Sequence, residues 1–155
     1  MRGMTIIVKT ISSWVKLLIF LFGIYIVLFG HLTPGGGFAG GVILASSYVL
    51  ILLAFGRKSV EENLSIAQAS RLDSIGALLF MAIAMSGFLY GAALFFYNAI
   101  QQRYLADKHT AFELVSAGSI PLSNIAIGLK VGASLFLVIM VLSVFRPKGK
   151  TDARE

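Results

Sequence analysis

Four long apolar runs, a low charge content and a one-sided distribution of basic residues predict an all-α polytopic membrane protein. The expected layout is four transmembrane helices with both termini on the cytoplasmic side. Hydrophobic residues make up 57% of the 155-residue chain and charged residues 13%, about half the charge of a soluble domain. A soluble fold of this length, room for one domain over 1–155, cannot hide so much apolar surface, so lipid is the expected solvent. The net charge of +6 does not point to nucleic acid. That partner needs a basic stripe with polar or aromatic neighbours, whereas these basic residues sit singly or in pairs between apolar runs.

Each span follows from the roughly 20 apolar residues needed to cross about 30 Å of hydrocarbon. The first runs from about Ser12 to Phe29, with Trp14 and Lys16 placed as interfacial anchors. No small-residue cleavage site follows it, so it is expected to stay as a spanning helix rather than leave as a signal peptide. Thr5 to Ile11 either extend this helix or lie in the interface. The second span, Phe38 to Phe55, carries no charge and ends at Gly56-Arg57-Lys58. The polar 57–73 segment fits a short interfacial helix. The third span, Ser74 to Tyr97, is also charge-free and follows Arg71 and Asp73. The fourth runs from Asn124, after Pro121 and with Ser123 or Asn124 as N-cap, to Phe145, and holds one charge, Lys130. This layout puts ten basic residues on the inner side and only Arg103 and Lys108 on the outer side, which orients the chain N-in and C-in.

The chain has no cysteine, which excludes disulfides, thiolate metal sites and thiol catalysis. No cofactor or metal is expected. The first outer connection, His31-Leu32-Thr33-Pro34-Gly35-Gly36-Gly37-Phe38, is therefore the most distinctive segment. Pro34 stops helix continuation and Gly35 to Gly37 allow positive φ and close backbone approach. A charge-free loop at this depth needs protein or a water-filled cavity around it. It is either a tight turn alone or a turn whose free N–H groups, at the start of the second helix, meet an ion or water. The Walker pattern is absent, since no Lys-Ser/Thr follows the glycines. His31 reads as an interfacial turn residue or, alternatively, as a proton carrier.

The stretch Tyr25-Ile26-Val27-Leu28-Phe29-Gly30-His31-Leu32-Thr33-Pro34-Gly35-Gly36-Gly37-Phe38-Ala39-Gly40-Gly41 closely resembles the signature of the MnhB/MrpB family. Members of that family are small membrane components of Mrp-type multisubunit sodium/proton antiporters, with related proteins in archaeal membrane-bound hydrogenases and sulfane-sulfur reductases. The resemblance is strong over residues 14–56, and the four-span layout agrees over nearly the whole chain. The family motif falls on Pro34, Gly35, Gly36, Gly37, Phe38, Gly40 and Gly41. Leu32-Thr33 stands where many bacterial members carry a polar Asn-Ser pair, which favours an archaeal respiratory host over a bacterial antiporter.

Glycines four apart (Gly36 and Gly40, Gly37 and Gly41, Gly87 and Gly91, Gly128 and Gly132) put small residues on single helix faces. They predict a densely packed bundle. Lys130 is the expected focus of ion chemistry, because its face carries Ala126, Ile127, Ala133 and Ser134 rather than bulky lipid-facing residues. The alternatives for it are snorkelling to the outer interface or a structural ion pair. Asp73 reads as a cap for the third helix, while Ser46, Ser47 and Ser86 read as backbone-bonded serines. Ser46 and Ser47 are also candidates, with Lys130 and His31, for lining an ion path. His109 and Glu113 read as outer-loop residues.

With one lysine besides the interfacial Lys16, and no acidic residue, inside the predicted spans, the chain lacks the relay that a complete antiporter needs. The resemblance implies instead an accessory, non-catalytic subunit in the cell membrane. It would pack beside larger antiporter-like subunits of a module that moves Na+ and H+, with a membrane-bound hydrogenase-type complex as one host. The rival readings are a small membrane enzyme acting on lipid headgroups, with His31 as base, and a purely structural assembly subunit.

Overall fold

The computed structural model describes residues 4–89, 95–98 and 117–144. Among them the chain is all-helical, with α1 over Ile6–Leu28, α2 over Gly36–Phe55, α3 over Arg57–Asn63, α4 over Ile66–Leu89 and α5 over Ile120–Leu142. Helices α1, α2, α4 and α5 are long and apolar enough to cross a membrane, as the hydropathy pattern predicts.

Their ends differ from the hydropathy boundaries for local reasons. α1 begins more than a turn before Ser12, because nothing in the apolar Ile6–Ile11 run breaks a helix and Thr10 Oγ1 bonds back to the Ile6 carbonyl. Thr5 to Ile11 are thus largely helical. α4 starts two turns before Ser74. Ser65 and Gln68 form a reciprocal cap there, with the Ser65 N–H donating to Gln68 Oε1 (3.0 Å) and the Gln68 N–H to Ser65 Oγ (3.2 Å). The charge-free third span is therefore corrected to a helix containing Arg71 and Asp73. Nor does it run as helix to Tyr97. Phe96 has φ 60° and its N–H returns to the Ala84 carbonyl, folding the chain back along α4. α5 starts at Ile120 with Pro121 in its first turn and Ser119 as N-cap residue. Asn124 thus lies inside the helix and does not cap it.

α2 and α5 form the central pair, with α1 laid against α2 and α4 against α5. Lipid offers no hydrophobic drive between helices, so close van der Waals packing at small residues holds such a bundle. Gly41 meets the Gly128 carbonyl and Val131, and a Cβ at Gly41 would stand 2.8 Å from each. At the opposite flank, a Cβ on Gly76 of α4 would stand 2.8 Å from the Lys130 backbone nitrogen. The α3 corner buries Val60 against Phe136 and Met140 and carries an Arg57–Glu61 ion pair of 2.7 Å. Only 17–33% of each span is buried within the chain. Large residues such as Trp14, Leu18, Leu53 and Leu78 face outward, so lipid or other protein must cover them.

Candidate functional site

The hairpin between α1 and α2 turns on Gly35, whose φ of 97° places the helix start in a conformation that a side chain resists. Asn124 locks it from the side. Its Oδ1 accepts a hydrogen bond from the Gly37 N–H at 3.3 Å, and its amide also packs against Gly30 and Gly36. One of the free N–H groups of the α2 N-terminus is thereby taken by a side chain of α5. Pro34 and Thr33 complete the turn, with Thr33 Oγ1 donating to the Phe29 carbonyl. His31 is half-buried and Phe38 is exposed.

The paired glycines divide between two neighbours. Gly37 and Gly41 face α5, while Gly40 faces Val27 of α1. Gly128 meets the same Val27 from α5, whereas Gly132 has ordinary clearance, 3.4 Å to the Gly41 carbonyl. Gly87 is buried on α4. Gly91, His109, Glu113 and Phe145 lie outside the described residues.

A second cluster lies deeper. Lys130 sits almost at the midpoint of the 23-residue α5, about 15 Å from its start at 1.5 Å per residue. Its ammonium does not snorkel to the near interface but donates to Asp73 Oδ1 of α4 at 2.8 Å. Ser134, one turn further along α5, donates a short hydrogen bond to the same oxygen. Gly76 makes this possible, because its missing side chain lets α4 close onto the Lys130 backbone one turn from Asp73. Asp73 is therefore an interior counter-ion two turns into α4, which corrects its reading as a helix cap. The pair is not sealed: Lys130 remains 45% and Asp73 28% exposed on the flank of the chain. A charge this deep is unfavourable against lipid by about 3 kcal/mol, so this flank requires water or protein.

The structure does not bring the remaining candidates to this cluster. Ser46 Oγ donates to Val42 O and Ser47 Oγ to Leu44 O, so both hydroxyls are engaged by the backbone of α2 itself. Ser86 is bonded in the same way to Ile83 O. The hairpin holding His31 packs at Asn124, six residues and about 9 Å along α5 from Lys130. Asp73 and Asn124 are the side chains of this candidate site that sequence reasoning misplaces. Ser65-Ile66-Ala67-Gln68, a capping-box pattern, is the signal that moves Asp73 inside its helix. Among the described residues no three His, Cys, Asp or Glu side chains gather to hold a metal.

The sequence model of a family described as a domain related to the MnhB subunit of Na+/H+ antiporter matches residues 7–137. The B-type component of the Na(+)/H(+) antiporter of Bacillus subtilis is 30% identical over 95% of this chain and 94% of its own length. A putative antiporter subunit mnhB2 of Staphylococcus aureus is 31% identical over 82% of both chains. An uncharacterized protein of Methanocaldococcus jannaschii is 34% identical over 90% of this chain, which spans 52% of that relative's length.

Proposed function

From the premise that this chain belongs to the MnhB family and is a multi-pass cell-membrane protein, we propose that it is an accessory subunit of a sodium/proton antiporter. It packs against larger antiporter-like subunits and supports Na+/H+ exchange without carrying out the exchange alone. The observation that carries this is the Asp73–Lys130–Ser134 cluster, charged, at the middle of α5 and open on one flank. A lone pair is too little for a transmembrane relay, yet too polar to face lipid. A neighbouring subunit on that flank resolves both.

The host we favour is a respiratory complex of the hydrogenase type, in which redox chemistry on other subunits supplies the energy. Leu32-Thr33 in the hairpin supports that reading. The chain itself acts as a non-catalytic part.

Reconstitution tests the proposal. The purified chain in proteoliposomes is expected to show no sodium-dependent proton flux, and its removal from the complex to abolish or sharply reduce that flux. Flux from the isolated chain would overturn the accessory role. The subunits that co-purify identify the host.

A further inference from the structure

α1 and α4 flank the central α2–α5 pair without packing on each other, and a cleft opens between them. Its walls are Phe20 of α1 and Leu72 of α4, and Leu64 closes one end. Its floor is Tyr48, Ala133 and Phe136, with Tyr48 set edge-on against Phe20 (6.2 Å between centroids) and Phe136 (5.4 Å). The cleft is open on one side and has a volume of about 180 Å³, bounded almost wholly by carbon. A second cavity, lined by Ser13, Lys16 and Leu17, shares Phe20 and Tyr48 with the first. Lys16 leans into it with its ammonium 5.1 Å from the centre of the Tyr48 ring.

We infer that these two adjoining cavities form a site for one acidic glycerophospholipid, with an acyl chain in the apolar cleft and the phosphate drawn to Lys16. An apolar cavity of about 150 Å³ takes up a six-carbon guest, so this cleft accommodates a short run of methylenes. Charge selects the headgroup. Lys9 of α1 stands level with Phe55 at the end of α2, so Lys16 lies about 10 Å in from that end. Its side chain extends from there toward the interface, and an ammonium whose described neighbour is an aromatic face gains from an anion. Ser13, one turn nearer the end of the helix, offers a hydroxyl donor to the same phosphate. The leaflet is the one facing the α1 N-terminus, where Lys9, Arg57 and Lys58 add to the attraction for anionic lipid.

The cleft borders the Asp73–Lys130 cluster through Leu72, Leu129 and Ala133, so its test reads bound lipid and not transport. The full chain is released from nanodiscs of mixed phosphatidylglycerol and phosphatidylcholine, and retained lipids are counted by native mass spectrometry. One phosphatidylglycerol per chain is expected. Lys16→Gln should weaken its retention about fivefold, the factor one basic residue supplies near an anionic surface, and Lys16→Arg should restore it. Ala133→Leu should displace the lipid by filling the cleft while Lys16 remains. Equal retention of both lipids, or retention unchanged by Lys16→Gln, would overturn the site. So would a cross-link from residue 16 to another subunit in the intact complex.

Discussion

Asp73 and Lys130 stand 57 residues apart in the chain and meet at 2.8 Å inside the bundle, with Ser134 bonded to the same carboxylate oxygen. Removing one member strands the other. Asp73→Asn is expected to destabilise the chain by about 2–3 kcal/mol, below the usual range for a buried pair because this one is partly open. The neutral double variant Asp73→Asn/Lys130→Met should recover most of that loss in a detergent melting assay. Sodium-linked transport of the complex should stay depressed in the double variant. Full transport there would reduce the pair to a structural strut.

Asn124 is predicted to govern the hairpin rather than the helix it belongs to. Asn124→Ala removes the acceptor for the Gly37 N–H and should cost about 1 kcal/mol. Hydrogen exchange should rise at residues 35–38, with little change along α5. Exchange rising along α5 instead would show that the residue supports its own helix.

The glycines are not equivalent. Gly41→Val forces atoms against the Gly128 carbonyl and the Val131 side chain, where the Gly128 backbone cannot yield, and should prevent accumulation of folded chain. Gly132→Ala meets only ordinary contacts, 3.4 Å at the closest, and should change the melting temperature by no more than a few degrees. Comparable losses for both would contradict the packing of α2 on α5.

The orientation we propose, with both termini cytoplasmic, is open to direct measurement because the chain has no cysteine of its own. A cysteine introduced at Lys58 should resist a membrane-impermeant maleimide in intact cells, and one at Lys108 should react. The reverse pattern would invert the topology.

What is legible in the sequence depends on the range of the interaction. Four spans are readable because each is a continuous apolar run, a property of neighbours along the chain. The hairpin is readable because Pro34 and Gly35 act on their own backbone. The start of α4 is also written locally, in Ser65 and Gln68, but hydropathy gives precedence to charge and leaves Asp73 outside the span. The ion pair itself is not legible. It depends on the antiparallel register of α4 on α5, which is set where Gly76 meets the Lys130 backbone. Asn124 misleads for a related reason: after Pro121 and Ser123 it looks like a cap, and only the packing of α2 on α5 shows it facing the hairpin.

The distance between Asp73 and Lys130 along the chain has a consequence for biogenesis. At 5–20 residues per second, the ribosome delivers Lys130 about 3–11 s after Asp73. During that interval α4 has its carboxylate but no counter-ion, at a depth where an isolated Asp opposes membrane insertion by about 3 kcal/mol. The apolar run from Ser74 to Leu89 must hold the nascent helix in the bilayer until α5 arrives. Chains truncated before Lys130 should accordingly insert α4 less completely than full-length ones, and synthesis of the last helix would complete the insertion of the one before it.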